Sequence, residues 1–270
     1  MRRWNGKKKD GIFVGILFHA LKRRLHARRG NRQTVLPVTV NGRRFKRVIC
    51  ADTHRARAMA DTLERLGPNP HVPTLIATVG REVWVDYVAG RPFRPEDGGA
   101  LTRIYDLYAA LYRHAPRAVS PDESVHHQRL CRDLWVLREV GALDDAAHAE
   151  IAARAAALKP ARLWLGFDYA DARIDNFLWA ENDLAVGIDV ENFSAETPLG
   201  LGLASARLYW AGAHGPDFAG QMAAAGLHEI AEALPYLDLM YRAGLLKRRI
   251  LKRKRGPGPD DPRGFLAAQD

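Results

Sequence analysis

Three residues in the stretch 169–193, "YADARIDNFLWAENDLAVGIDVENF", have the types and spacing that chemistry on a phosphate requires: Asp171, Asn176 and Asp189. Moving a phosphoryl group from ATP to a hydroxyl needs a base that orients the attacking hydroxyl, and oxygen ligands that hold Mg²⁺ across the phosphates. In Asp-x4-Asn one loop carries a carboxylate at its start and an amide oxygen at its end. A further acid after the next strand can meet the same metal. The residues also admit plainer readings, because aspartate is a common turn former and Asp189 can cap the segment after its strand.

Periodicity indicates the elements that must hold these groups. "NFLW" and "AVGIDV" read as short strands joined by the polar turn "AENDL", a hairpin with acids at its edges. Upstream, "TVLPVTV" and "RRFKRVIC" flank Asn41-Gly42, a dipeptide suited to the positive φ angles of a two-residue hairpin turn. Residues 53–66 have helical spacing, with Thr53 as candidate cap and Gly67 as stop. "VPTLIATVGREVWVDYVAGRPF" gives two more strands around Gly80. After about residue 92 the pattern turns helical through "GGALTRIYDLYAALYRHA", "HHQRLCRDLWVLREVG" and "DDAAHAEIAARAAAL", interrupted only by the hairpin. The expected fold class is α+β. A small strand-rich N-lobe spans 34–91, and a larger, mostly helical C-lobe spans 92–255 and carries the hairpin. Residues 1–33 read as a basic amphipathic extension and 256–270, with "GPGPDDPRG", as a flexible tail.

The quoted stretch resembles the protein-kinase-like superfamily, in its small-molecule branch of aminoglycoside, choline and lipopolysaccharide-core sugar kinases. The catalytic loop of that branch reads roughly H-x-D-x-x-x-x-N, followed by an apolar strand and I-D-[FWL]-[GE]. Here the residues are Y-A-D-A-R-I-D-N, then FLW, then G-I-D-V-E. The likeness covers roughly residues 34–240 in the order of elements, and its specific motifs are the loop and the metal site. It implies a two-lobed protein-kinase-like fold, ATP and Mg²⁺ as cofactors, Asp171 at the catalytic-base position, and Asn176 and Asp189 as metal ligands. It also implies a strand lysine reaching the phosphates, for which Lys46 is the best candidate and Arg47, on the opposite face, the rival. The acid expected on the following helix to pair with it is Asp61 or Glu64. The adenine is placed near "VDYVAG", where backbone groups of Asp86, Tyr87 and Val88 can bond its edge. Two departures stand out: Tyr169 occupies the position of the usual histidine, and no Gly-rich loop precedes the strands beyond Asn41-Gly42.

The chain of 270 residues has 41 Lys and Arg against 31 Asp and Glu, a net charge of +10. Much of the excess lies in "MRRWNGKKK", "KRRLHARRGNR" and "KRRILKRKR". This balance favours anionic partners and argues against cationic acceptors, whose sites are usually lined by carboxylates. The expectation is an ATP-dependent phosphotransferase acting on a hydroxyl of a small molecule or membrane-linked sugar, with a lipopolysaccharide-core type favoured. Its partners are a nucleotide and an anionic or membrane-displayed sugar. A cytoplasmic location follows, with the basic ends suited to peripheral contact with the inner face of the membrane. The apolar run "GIFVGILFHAL" lacks a small-residue cleavage site and is too short to span a bilayer. Cys50 and Cys131 form no CxxC pair, so neither a disulfide framework nor a cysteine zinc site is indicated. Nucleic-acid binding is disfavoured, because the basic run 247–255 is not interleaved with stacking aromatics. The rival reading is a non-catalytic kinase-like nucleotide-binding protein, suggested by Tyr169 and the missing Gly-rich loop.

Overall fold

The computed structural model describes residues 34–94, 96–97, 99–210, 217–252 and 261–267. The amphipathic extension over 1–33 and the end of the basic run, 253–255, lie outside the described residues. The chain divides into two units. The first comprises the described residues up to Phe93 together with Phe177–Phe193, and the second comprises Arg94–Asn176 and the residues from Ser194 onward.

In the first unit, β1 (Thr34–Val40) and β2 (Arg43–Ile49) pair antiparallel from Val40↔Arg43 to Thr34↔Ile49. Asn41 at φ 50 and Gly42 at φ 74 close the turn between them, as the dipeptide predicts. With β3 (Leu75–Val79) and β4 (Glu82–Asp86) they form an antiparallel sheet in the order β1-β2-β4-β3. Pro37 is tolerated because β1 is an edge strand. Helix α1 (Thr53–Leu66) turns Ala56, Ala60, Leu63 and Leu66 inward and packs against β3 and β4. Its cap is Asp52 rather than the expected Thr53: Asp52 has extended backbone, and its side chain accepts a hydrogen bond from the Arg55 amide.

A second, three-stranded sheet has the order β5-β8-β9. It consists of β5 (Gly90–Pro92), β8 (Phe177–Ala180) and β9 (Ala185–Gly187). The expected hairpin is present, paired from Phe177↔Gly187 to Trp179↔Ala185, with Asp183 at φ 64 in its turn. Chain order assigned the hairpin to the helical lobe. The pairing of β5 with β8, from Gly90↔Ala180 to Pro92↔Leu178, instead groups it with the first unit.

The second unit is the larger and mostly helical. It contains α2 (Ala100–Tyr112), α3 (Val125–Glu139), α4 (Asp145–Leu158), α5 (Leu201–Trp210), α6 (Phe218–Ala224), α7 (His228–Lys252) and α8 (Pro262–Ala267). Its core is built around α7, where Tyr236, Leu237 and Leu246 meet Leu130, Leu134 and Leu137 of α3 and Ile151 of α4. The hairpin is not the only interruption of the helices. β10 (Phe193–Pro198), β7 (Leu163–Tyr169) and β6 (Arg117–Val119) form a sheet in the order β10-β7-β6. The "LWLGFDY" of β7 is enclosed on both faces, so it lacks the alternation by which a half-buried strand is recognised. Helix α8 lies in the segment expected to be a flexible tail. Asp261 caps it by accepting from the Gly264 amide at 2.8 Å, and Leu266 is buried in the α7 core, which outweighs the Pro/Gly composition. Among the described residues, no helix is long and apolar enough to cross a membrane.

Beneath the end of β7 lies a buried carboxylate. Asp168 Oδ2 accepts hydrogen bonds from the Gly202 amide at 2.9 Å and the Tyr112 hydroxyl at 3.3 Å. Burial pushes its carboxyl up to about 7, with the bonds from Gly202 and Tyr112 opposing the rise. Gly202 is confined here: a Cβ would stand 2.3 Å from both Asp168 Oδ1 and the Tyr169 carbonyl oxygen. Gly202→Ala is therefore expected to lose roughly 1–3 kcal/mol of stability through overpacking, measurable by thermal denaturation. A second expectation concerns pH. With its folded-state pKa raised, Asp168 keeps a proton between about pH 4 and about pH 7 that the unfolded chain has already released, so its contribution to stability falls as pH rises through that window. Asp168→Asn removes this titration and should flatten the pH dependence seen in urea denaturation curves.

Candidate active site

In the second unit, the candidate residues lie on the loop that leaves β7. It passes from Tyr169 through Asp171 into the 3₁₀ turn Ile174–Asn176. Asn176 Nδ2 donates to the Asp171 carbonyl oxygen at 2.8 Å, which closes the Asp-x4-Asn loop and leaves the amide oxygen of Asn176 for another partner. Helices hold the loop from behind. The Tyr108 hydroxyl of α2 donates to the Tyr169 carbonyl at 3.3 Å, and the Ala172 amide donates to Ser205 Oγ of α5 at 3.2 Å. Tyr169, at the histidine position of the resemblance, is fully buried. The Asp171 carboxylate is half-buried and accepts no hydrogen bond within the described residues. An approaching hydroxyl can reach it without displacing a protein partner. Arg173 and Asp175, by contrast, neutralise each other at the exposed edge of the loop, at 3.0 and 2.8 Å.

In the first unit, the candidate residues follow β9. Asp189 precedes the 3₁₀ turn Val190–Asn192, and its Oδ2 accepts from Asn192 Nδ2 at 2.6 Å. Burial, then the hydrogen bond and charge of Glu191, push the Asp189 carboxyl up to about 7. Burial alone would raise Glu191 as well, but its bond with Asp189 and the charge of Lys46 bring it below the usual carboxylate range. Two carboxylates set so close together repel each other, and a hard divalent cation is one species that relieves such repulsion. Among the described residues, no three His, Cys, Asp or Glu side chains form a metal-holding group.

The strand residues separate as alternation requires. Lys46 Nζ donates to Glu191 Oε2 at 2.9 Å and to the Ile188 carbonyl. Arg47 turns to the other face, is wholly buried, and forks onto Glu82 through Nε at 2.8 Å and through Nη2. Of the two rivals, Lys46 is the one carried to the turn of Asp189. The expected helix acid is a different matter. Asp61 and Glu64 are both exposed, because the inward positions of α1 are taken by alanine and leucine, and the carboxylate that meets Lys46 is Glu191. Glu191 was visible as the last residue of G-I-D-V-E. Its partner was not, since the two lie 145 positions apart.

The segment expected to meet adenine is partly committed elsewhere. The Asp86 amide donates to the Thr74 carbonyl at 2.9 Å, its carboxylate takes Arg43 at 2.6 Å, and the Arg44 guanidinium lies 3.7 Å from the centre of the Tyr87 ring. Val88 is half-buried and its backbone makes no hydrogen bond within the described residues, so it retains a free edge. His71 is a residue that sequence patterning gave no reason to notice. Its Nδ1 bonds the Ala185 carbonyl at 2.9 Å and its own carbonyl accepts from the Gly187 amide at 3.0 Å, which steadies β9 just before Asp189.

In sequence, the chain matches no protein-family model and no curated protein. In structure it is similar to several solved proteins. An ethanolamine kinase of Plasmodium vivax superposes with a TM-score of 0.61 at 9% identity, over 97% of this chain and 87% of that one. A type I macrolide 2'-phosphotransferase gives 0.60 at 15% identity, over 100% of both chains. The GDP complex of an aminoglycoside 2'-phosphotransferase-IIIa gives 0.57 at 14% identity, over 94% of this chain and 97% of that one. The chain thus has the two-lobe fold of the protein-kinase-like small-molecule kinases and phosphotransferases.

Proposed function

We propose that the protein is an ATP-dependent phosphotransferase that moves the γ-phosphate to a hydroxyl of a small molecule or membrane-linked sugar. The observation that carries this reading is the loop after β7, where four-residue spacing, the Asn176–Asp171 bond and anchorage by Tyr108 and Ser205 present an unencumbered carboxylate. In this role Asp171 accepts the hydrogen bond of the acceptor hydroxyl, aims its lone pair, and takes its proton as the new P–O bond forms. The Asn176 amide oxygen and the Asp189 carboxylate are oxygen donors of the kind Mg²⁺ requires, and they would hold it. When bound, the metal supplies neutralisation of the charge on the transferring phosphates. Lys46 adds a fixed positive charge to the phosphate side, and the free backbone edge at Val88 is suited to the nucleotide base. A net charge of +10 favours an anionic acceptor, such as a sugar of lipopolysaccharide-core type displayed at a membrane. One structural neighbour is a GDP complex, so GTP belongs beside ATP in any assay.

A non-catalytic nucleotide-binding protein is the second reading, favoured by one observation: the β1–β2 turn is only Asn41-Gly42, which leaves little chain to cover phosphates. Substitution separates the two. Asp171→Asn preserves shape, so Mg²⁺-dependent stabilisation by nucleotide in a thermal-shift assay should persist while turnover falls by roughly 10²- to 10⁴-fold. Asp189→Ala should lose both. Undiminished phosphotransfer by Asp171→Asn would remove the assigned base. Nucleotide binding by the wild type with no transfer to envelope sugars or small metabolites would favour the second reading.

A further inference from the structure

The acid that sets a strand lysine decides what that lysine is coupled to, and in this chain the acid does not come from α1. We infer that Glu191 is the positioning residue for Lys46, so that the phosphate-side lysine is fixed by the same turn that carries Asp189. The inference rests on the phosphotransferase reading above and deepens it.

An ammonium has three N–H donors and no acceptor. Two of the donors on Lys46 are engaged, by Glu191 Oε2 and by the carbonyl of Ile188, so both anchors lie within four residues of chain after β9. The pair is well shielded, with side-chain exposures of 17% for Lys46 and 7% for Glu191. One donor remains for a phosphate oxygen. Helix α1 offers no substitute, since Asp61 and Glu64 face solvent and its inner face is Ala56, Ala60, Leu63 and Leu66. The strand that leads into the turn is held by His71 on Ala185 and Gly187, and within the turn Asn192 bonds Asp189. The lysine and the candidate metal ligand therefore form one piece of the first unit. A movement of α1 would leave the lysine's anchors in place, whereas a change in the turn would disturb lysine and metal ligand together.

The full-length protein provides the test, through steady-state kinetics in Mg²⁺-ATP and, independently of turnover, thermal shift with the same nucleotide. Glu191→Gln keeps the side chain's size and removes its charge. It is expected to raise KM for ATP by about tenfold with a much smaller change in kcat, and to weaken the nucleotide-induced shift. Lys46→Ala should do the same. The double variant should be no worse than Lys46→Ala alone, because the two side chains act as one unit. Glu191→Asp retains the charge one methylene short and should recover part of the loss, which guards against a fold-wide effect of the glutamine. An unchanged KM in Glu191→Gln, full additivity in the double variant, or an equal rise in KM from Asp61→Asn would each overturn the inference while leaving the phosphotransferase reading intact. A wild-type protein that binds no nucleotide in the presence of Mg²⁺ would overturn both.

Discussion

A cation withdrawn from water must be matched by an anion, and β2 places two consecutive cations where this need is acute. Alternation sends Lys46 and Arg47 to opposite faces, and each finds a carboxylate that nothing near it in sequence supplies: Glu191 for Lys46, Glu82 for Arg47. Leaving either partner alone in such a position costs about 3–5 kcal/mol, so these pairs constrain the fold even if the net gain from forming them is small. The Glu191 pair requires the turn after β9 to stand beside β2. The Glu82 pair ties β2 to β4, its direct neighbour in the sheet. Two ladders of one unit, remote in the chain, are thereby fixed around the turn that presents Asp189.

The second unit solves a similar problem with neutral groups and one buried acid. A loop that exposes a carboxylate must satisfy its own backbone without using that carboxylate. Here Tyr108, Ser205 and the Asn176 amide satisfy the loop, and Asp171 is left unengaged. Asp168 lies directly underneath and accepts from the Gly202 amide in the first turn of α5, drawing that helix against the end of β7. The departure at Tyr169 fits this arrangement. The loop is held at its main chain by hydroxyls from two helices, so its backbone does not rely on a histidine at that position. The chemistry expected of Asp171 depends on its freedom and orientation, both of which come from these backbone bonds.

The structural likenesses and the lack of sequence matches have a common cause. A two-lobe scaffold can be built from many apolar patterns, provided that strands alternate and helices keep their period, and at 9 to 15% identity little else is shared. In this chain the proposed base and metal ligands, Asp171, Asn176 and Asp189, fall in a single stretch of 25 residues, 169–193, whereas the proposed phosphate-side lysine, Lys46, lies far upstream.

The sequence by itself determined whatever depends on near neighbours. Asn41-Gly42 dictated a two-residue turn because few other dipeptides take two positive φ angles in succession. The period and glycine stop of 53–66 dictated α1, and the alternation around "AENDL" dictated the β8–β9 hairpin. Asp171 and Asn176 could be named together because one short loop holds both. Tertiary structure alone decided the rest. The enclosed strand β7 showed no alternation because both of its faces are covered, and α8 was masked by its Pro/Gly surroundings because part of its stability comes from Leu266 in the core around α7. The partner of Lys46 was decided in the same way: the family resemblance pointed to a helix acid, whereas burial of leucine and alanine turned that helix's acids to solvent and chain crossover delivered Glu191. A pattern of nearest neighbours can specify a turn, a period or a loop, but the pairing of charges across 145 positions exists only once the sheets have formed.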